Sequence, residues 1–290
     1  MIETRGLSKA YGKTLALDDV DLDVPVGSVY GLVGPNGAGK TTLLGVLAGL
    51  RRATTGSVAI ATSRVGVLPD TPLFDTWLTG REVVDLALFM TNGVHDDDRV
   101  TTMLEEAGIA DAADRAVGGY SRGMLQRLGI AASLVADPEL VLLDEPCSAL
   151  DPLGRREVLD LIARMRGSAT VVFSSHILAD VQEVCDTVGI LRRGRLVFEG
   201  GLHELLVGKA QPRYVVRLRP PLEPVVAALS AADWIDEVEI VGPEQVRVGA
   251  GNLDLLETRL MPALAPAGAH VVSLSPEAPS LEDVFLEVVS

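Results

Sequence analysis

The chain has 290 residues, enough for one large domain or two modest ones, and 48% of them are hydrophobic, which is ample for a core. Acidic residues outnumber basic ones by 40 to 25, and the net charge of −15 argues against electrostatic binding to nucleic acid or anionic lipid. The apolar runs are shorter than the roughly 18 residues of a membrane helix, and a signal-peptide pattern is lacking, so we expect a cytoplasmic protein.

The first motif follows a predicted buried strand over residues 29–33 and reads Gly34-Pro35-Asn36-Gly37-Ala38-Gly39-Lys40-Thr41-Thr42. It fits the pattern G-x-x-x-x-G-K-[ST], and a short helix is predicted after it over residues 42–50. Glycines let the backbone wrap so that N–H groups point at phosphate oxygens, and the helix start adds the positive end of its dipole. Lys40 can reach the β- and γ-phosphates, and the Thr41 hydroxyl can bind Mg²⁺. We therefore predict a nucleotide-phosphate site at residues 34–42.

Residues 1 to about 210 alternate short strand-forming runs with helical patterns, which predicts an α/β fold. Helices are predicted over 81–110, 120–135 and 177–185, and the apolar residues within 99–108 recur at helical spacing. Strands are predicted where apolar and β-branched residues cluster, over 58–60, 64–68, 140–143, 170–173 and 188–191. The last strand and residues 196–199 flank a tight turn at 192–195, which predicts a hairpin.

Two carboxylates follow the predicted strand over residues 140–143. Nucleotide hydrolysis needs a second anchor for Mg²⁺ and a group that positions the attacking water. Asp144 and Glu145 should lie at the carboxyl edge of the sheet, beside the phosphate loop. Asp144 suits Mg²⁺ or its bound water, and Glu145 suits the role either of catalytic base or of the group that orients the water. The pair therefore predicts a nucleotide-hydrolysing site.

The pattern of elements restarts near residue 211. The predicted elements are strands over 214–218, 235–241, 246–248 and 270–274, helices over 225–232 and 253–264, and a last helix over 281–289. The order βαββαβ indicates a small α+β domain, of ferredoxin-like type. We predict a nucleotide-binding domain over residues 1–210 and an accessory domain over residues 211–290, in which we find no catalytic cluster.

The order of these motifs resembles the ATP-binding subunit of an ABC transporter, particularly the ABC-2 type branch that exports drugs and antibiotics. The resemblance covers residues 1 to about 210, and the tail at 280–287 is similar to that branch more weakly. It implies a P-loop NTPase core of ABC ATPase type with a helical signature subdomain. It also implies ATP and Mg²⁺ as cofactors, a second copy that completes each ATP site, and a separate integral membrane permease. The chain would then lie on the inner face of the membrane and power export.

The resemblance implies further site residues. Tyr11 matches an aromatic residue that stacks on adenine, a contact that supplies affinity more than selectivity. His176 matches a switch histidine that reaches the γ-phosphate and the attacking water. The segment Ser148-Ala149-Leu150-Asp151 is similar to the D-loop that links the two sites of a dimer. Cys147 stands where the family often has threonine, and we interpret it as a small buried side chain.

The segment from Tyr120 to Arg127 occupies the place of the family's signature sequence. Ser121 and Gly123 match that pattern, and by analogy they meet the γ-phosphate that the other subunit binds. Arg122 departs from the pattern. It is interpreted either as an added positive charge near that phosphate in the other subunit or as a side chain that points into solvent.

A second departure lies after the predicted strand over residues 64–68. The family has a glutamine there, whereas this chain has Asp70. A charged oxygen also suits a hard cation, so Asp70 is a candidate catalytic residue. Hydrolysis would then depend on Mg²⁺ differently than in relatives that have the glutamine. The alternative is that Asp70 serves only to couple the chain to its partner.

Other functional classes fit less well. An ABC-type ATPase that acts on a cytosolic partner, such as a translation factor, usually has two ATPase units and a basic linker, whereas this chain has one P-loop and is acidic. A DNA-repair relative would need a long coiled-coil insertion. A GTPase would need an Asn-Lys-x-Asp motif, and a P-loop kinase would not need the signature, D-loop and histidine in this order. The order of motifs favours a transporter ATPase.

Overall fold

A computed structural model of the chain describes residues 1–209, 212–266, 268–277, 280–282 and 284–285. The chain divides into two units, Met1–Leu202 and His203–Glu287, whereas the boundary predicted from the sequence lies after residue 210. Among the described residues, none of the helices combines the length and apolar character that are needed to cross a bilayer.

The first unit contains two sheets. In chain order its strands β1 to β9 are Ile2–Tyr11, Thr14–Val24, Val29–Val33, Thr55–Ile60, Val65–Leu68, Leu140–Leu143, Thr170–Ser175, Thr187–Arg192 and Arg195–Gly201. An antiparallel sheet has the order β2-β1-β4, and a six-stranded sheet has the order β5-β6-β7-β3-β8-β9. The six-stranded sheet is parallel except for β9, which pairs with β8 in antiparallel fashion. The predicted hairpin at its edge is confirmed, and its turn places Arg193 and Gly194 at positive φ.

The helices of the first unit connect these strands. In chain order, α1 to α6 are Lys40–Leu47, Gly80–Asn92, Asp97–Glu106, Arg122–Leu134, Pro152–Arg164 and Leu178–Val184, and α7, Leu202–Lys209, spans the division between the units. The single helical region predicted over 81–110 is two helices. Gly93 ends α2 at a φ of 72°, and the Asp96 side chain then caps α3 by accepting a hydrogen bond from the N–H of Arg99.

The strands β1 and β2 lie within residues 1–24, where no strand was predicted. Their pairing shifts register between Thr4 and Leu7, and again on either side of Lys9. Each shift breaks the alternation of buried and exposed side chains, which is the pattern that identifies a strand in a sequence.

The parallel strands determine where the candidate site lies. The strands β3, β6 and β7 are buried along their whole length and are neighbours in the sheet. Parallel strands end at one edge of a sheet, where α/β proteins bind ligands. Gly34, Asp144 and His176 directly follow these three strands, so the fold brings the P-loop, the two carboxylates and the histidine to this edge.

The second unit has the βαββαβ order that the sequence predicted. Its strands β10 to β13 are Arg213–Leu218, Glu237–Gly242, Gln245–Gly249 and Val271–Glu277, and its helices α8 and α9 are Glu223–Ser230 and Leu253–Leu264. The sheet is antiparallel with the order β11-β12-β10-β13. Its core joins both helices to one face of the sheet through Val216, Val246, Leu229 and Leu260. Most of the predicted last helix, over 281–289, lies outside the described residues.

Candidate active site

The P-loop passes close to neighbouring backbone, and two glycines permit this. Gly39 has a φ of 113°, and a Cβ built there would lie 2.6 Å from the carbonyl oxygen of Ala16. A Cβ at Gly34 would lie 2.3 Å from the carbonyl oxygen of Leu191. Any larger residue at these positions would push the loop away from β2 and β8. The packing of the loop therefore requires glycine at positions 34 and 39.

Lys40 connects the P-loop to the carboxylate of Glu145. Its Nζ donates a hydrogen bond of 2.7 Å to the carbonyl oxygen of Gly34 and lies 3.3 Å from Oε1 of Glu145. The other carboxylate oxygen of Glu145, Oε2, lies 2.8 Å from Nδ1 of His176. Lys40 and Glu145 are largely buried. The three side chains form a row, which we call the Lys40–Glu145–His176 row.

Ser174 on β7 holds both carboxylate residues in place. Its hydroxyl donates a 2.6 Å hydrogen bond to Oδ1 of Asp144 and accepts a 2.9 Å hydrogen bond from the N–H of Glu145. Glu145 has a φ of 51°, a strained value for a residue with a side chain. Gln126 on α4 donates from Nε2 to the Glu145 carbonyl oxygen at 3.3 Å. No role was predicted for Ser174 or Gln126, although Ser174 and Ser175 are polar residues at the end of a fully buried strand.

Asp144 is a suitable ligand for a divalent cation. It is 4% exposed, and burial raises the pKa of its carboxyl group. Hydrogen bonds from the hydroxyls of Ser174 and Thr41 act in the opposite direction, and the charges of Asp70 and Glu145 raise the pKa further. Thr41 and the two aspartates supply the oxygen donors that Mg²⁺ prefers. These residues fit the predicted ion, which would offset the buried charge.

We expect Asp144→Asn to stabilise the protein in the absence of Mg²⁺. A carboxyl whose pKa is raised by folding contributes stability below its ordinary pKa, and that contribution is lost as the pH rises through the raised value. At neutral pH the ionised, buried Asp144 is therefore destabilising. Thermal unfolding at pH 7.5 in EDTA should give a higher Tm for Asp144→Asn, whereas the exposed control Asp160→Asn should leave Tm unchanged. An unchanged or lower Tm for Asp144→Asn would show that its charge is already compensated.

The predicted P-loop, Glu145, His176 and Asp70 line one cleft of about 480 Å³. Arg122 also lines this cleft of its own chain, a placement that neither interpretation of Arg122 anticipated. Among the described residues the side chain of Arg122 makes no hydrogen bond or ion pair. The complete lining consists of Ala16, Pro35, Asn36, Gly37, Ala38, Gly39, Lys40, Thr41, Thr42, Asp70, Arg122, Glu145, Ser148 and His176.

Ser121 and Gly123 lie at the start of α4 and do not line the cleft of their own chain. Ser121 is the N-cap residue, and its Oγ accepts a hydrogen bond of 3.2 Å from the N–H of Met124. A Cβ at Gly123 would lie 3.1 Å from the Ala149 carbonyl oxygen, so this turn packs closely on the predicted D-loop. The packing explains the requirement for a small residue at position 123.

Tyr11 lies at the end of β1 and is also outside the lining of the cleft. Its hydroxyl accepts a 2.9 Å hydrogen bond from Nη1 of Arg51. The ammonium group of Lys9 lies 5.0 Å from the centre of the tyrosine ring and donates a hydrogen bond to the Arg52 carbonyl oxygen. Lys9 therefore lies over one face of the ring, and Tyr11 as a whole is 46% exposed.

Cys147 is a small buried side chain, as interpreted from the sequence. Its pKa is raised to about 12, chiefly by burial and then by the charge of Asp180. A thiol with so high a pKa remains protonated at neutral pH and is unreactive. Cys147 therefore contributes packing next to the site.

The chain is similar to ATP-binding proteins of ABC transporters in both sequence and structure. A family model described as ABC transporter matches residues 17–148. An ABC transporter ATP-binding protein of Bacillus subtilis is 34% identical over 100% of this chain and 99% of its own length. A daunorubicin resistance ATP-binding protein of Streptomyces coeruleorubidus is 33% identical over 99% of this chain and 94% of its own. The solved structure of a dimeric bacterial ABC transporter cassette is 25% identical, with a TM-score of 0.66 over 70% of this chain and 99% of that one.

Proposed function

Because the chain belongs to the family of ABC transporter ATP-binding proteins, we propose that its cleft is one half of a composite ATP site, which a second copy of the chain completes. As a member of this family it is an ATPase subunit of a transporter. The observation that carries the proposal is the Lys40–Glu145–His176 row, which joins the P-loop to two groups able to act on water. The test is ATP-dependent self-association of the purified chain together with its Mg²⁺-dependent hydrolysis of ATP.

In this proposal the chain binds the phosphates before it acts on water. The backbone N–H groups of residues 36–42 and the ammonium group of Lys40 bind the β- and γ-phosphates. Thr41 and Asp144, together with Asp70, would hold Mg²⁺, which when bound neutralises charge on the phosphates during transfer to water. Glu145 accepts a proton from the attacking water. His176, whose Nδ1 contacts Oε2 of Glu145, orients this water toward the γ-phosphate.

We expect Asp70→Asn to weaken hydrolysis more than ATP binding. The P-loop and Lys40 provide most of the phosphate contacts, whereas Asp70 acts on the cation and its water. Changes to groups that orient a metal site cost about tenfold or more in activity. The turnover number should therefore fall about tenfold with little change in the Kd for ATP, and extra Mg²⁺ should recover part of the loss. Equal losses in turnover and binding, or none, would instead favour a role for Asp70 in partner coupling.

The second copy is proposed to contribute Ser121 and Gly123. Both lie at the N-terminus of α4, where free N–H groups favour an anion, and neither lines the cleft of its own chain. A solved relative is a dimeric cassette, which supports this arrangement. The accessory domain, proposed to begin near residue 211, would help to hold the two copies together.

An integral membrane permease is the second proposed partner. Large apolar side chains are exposed on and near α2, including Leu73 at 86%, Trp77 at 73% and Met90 at 77%. Leu73 and Met90 line one open depression of about 440 Å³ with Phe74 and Leu86. Exposed apolar surface of this kind indicates a partner. We propose that this surface receives a cytoplasmic segment of the permease, which would keep the chain on the inner face of the membrane.

Charged substitutions on this surface should release the chain from the permease. We expect Leu73→Glu combined with Met90→Glu to lower the amount that co-purifies with the co-expressed membrane protein by at least about tenfold. The ATPase activity of the isolated chain should be unchanged, because the surface lies outside the cleft. Val26→Glu, a charge at another exposed apolar position, is the control and should co-purify normally. Normal co-purification of the double variant would favour the alternative, an ABC-type ATPase that acts on a cytosolic partner.

Export is the proposed direction of transport. The Streptomyces relative is named for daunorubicin resistance, and resistance is consistent with removal of a compound from the cell. Substrate choice would lie in the permease, because the cleft residues to which we assign roles act on nucleotide, Mg²⁺ and water.

A further inference from the structure

We propose that the ion pair between Arg155 and Asp180 is a positioning device, which couples the D-loop to the switch histidine, His176. The inference rests on the proposed role of His176 in hydrolysis. It assigns Arg155 and Asp180 a function that sequence analysis did not assign to either of them.

The pair joins the first turns of two helices. Asp151 ends the D-loop and caps α5, since its Oδ1 accepts a 3.0 Å hydrogen bond from the N–H of Gly154. Arg155 lies one turn into α5, and its N–H donates to the Asp151 carbonyl oxygen. Nε of Arg155 lies 2.5 Å from Oδ1 of Asp180, which lies in the first turn of α6. The ion pair therefore connects the start of α5 to the start of α6.

The start of α6 is also the attachment of the switch histidine. Only Ile177 separates His176 from α6, and the N–H of Ile177 donates a 2.9 Å hydrogen bond to Oγ of Ser175. Ile177 is the N-cap residue of α6 and has no polar side chain with which to cap the helix. The start of α6 is therefore held by packing and by the Arg155–Asp180 pair, and a shift of this end of α6 would move His176 relative to Glu145.

The environment of Asp180 argues against a purely stabilising role. Its side chain is 2% exposed, and in the described part of the chain its Oδ2 is buried without a hydrogen-bond partner. A buried carboxylate with an unsatisfied oxygen costs stability relative to an apolar side chain of similar size. A pair that contributed only to folding would be expected to satisfy both oxygens. A role in holding geometry explains why a charged pair lies here.

A second ion pair at the far end of the same two helices is a matched control. Nη2 of Arg166 donates a 2.7 Å hydrogen bond to the Val184 carbonyl oxygen, and its Nε lies 3.0 Å from Oδ1 of Asp186. The side chains of Arg166 and Asp186 are 47% and 40% exposed. Both residues follow the ends of α5 and α6, whereas Arg155 and Asp180 lie near the starts of these helices. Removing Arg166 tests the loss of an arginine from this helix pair without a change next to His176.

The experiment compares Arg155→Met, Asp180→Asn, the double variant that carries both changes, and Arg166→Met in the full chain. Turnover number and KM for ATP are measured per nucleotide-binding site, and Tm is measured for each variant. Arg155→Met strands a buried carboxylate, so its Tm should fall, and the double variant should regain Tm because the stranded charge is removed. We expect the turnover number of both Arg155→Met and the double variant to be about tenfold lower than that of the unaltered chain, with KM changed by less than about twofold. Arg166→Met should retain normal turnover.

A further comparison asks whether Arg155 acts through the histidine. In a His176→Ala background, Arg155→Met should cause no additional loss of turnover. Recovery of turnover together with Tm in the double variant, or an equal loss in Arg166→Met, would overturn the proposal. If Arg155→Met does not fold, the turnover number of Asp180→Asn tests the proposal. A low turnover number at normal Tm supports the proposal, and a normal turnover number contradicts it. Two other results would show instead that the proposed function is wrong. In the first, the unaltered chain does not hydrolyse ATP, and in the second, His176→Ala leaves hydrolysis unchanged.

Discussion

Replacing Glu145 by glutamine is expected to lower the rate of ATP hydrolysis by about 100- to 10,000-fold. Glutamine preserves the shape of the side chain and can still accept a hydrogen bond from Lys40, but it cannot take a proton from water. The Glu145 carboxylate is the one group in the row that contacts both Lys40 and His176. ATP binding should remain within about threefold of normal, because the P-loop contacts are untouched.

Single-turnover hydrolysis and equilibrium ATP binding, measured on the same preparation, separate the two effects. The exposed Glu105→Gln on α3 is a matched control and should hydrolyse ATP at the normal rate. A Glu145→Gln protein that retained more than about a tenth of normal hydrolysis would assign the base role to another group.

The Lys40→Met variant is expected to bind ATP about 100-fold more weakly, an amount typical of losing a charge-assisted phosphate contact in a buried site. Methionine keeps much of the apolar stem of lysine and removes only the ammonium group. That group also donates a hydrogen bond to the Gly34 carbonyl oxygen and lies 3.3 Å from Oε1 of Glu145, so its loss leaves Glu145 in contact with His176 alone within the row. Hydrolysis should therefore fall even at saturating ATP.

Equilibrium titration with a fluorescent ATP analogue measures the affinity, and circular dichroism checks the fold. Lys13→Met removes a lysine that is exposed and outside the cleft lining, and this control should bind ATP normally. Unchanged affinity in Lys40→Met would mean that the backbone of the P-loop alone accounts for phosphate binding.

Much of this site could be predicted from short motifs because its residues follow elements with strong sequence patterns. The P-loop, Asp144 and His176 each come directly after a fully buried strand that is rich in β-branched and other apolar residues, and parallel strands necessarily end at one edge. The division of 81–110 into two helices was not predicted, because Gly93 and Asp96 act through a positive φ and a cap rather than through the apolar period.

The residues that support the site from other elements were harder to predict. Ser174 and Gln126 act through hydrogen bonds to Asp144 and to the backbone of Glu145, and neither bond follows from local spacing. Arg155 and Asp180 are separated along the chain and meet only because α5 and α6 pack together. The position of Arg122 in the cleft of its own chain likewise depends on how α4 packs against the loop at residues 145–151.

The most direct test of the composite ATP site is the molar mass of the Glu145→Gln protein in solution with ATP and Mg²⁺. One chain has a mass of 30.6 kDa, and light scattering after size exclusion distinguishes one chain from two. We predict a dimer with ATP and a monomer with ADP, because the γ-phosphate is the group that the signature residues of the second copy would contact. A protein that binds ATP and nevertheless remains a monomer would contradict the account.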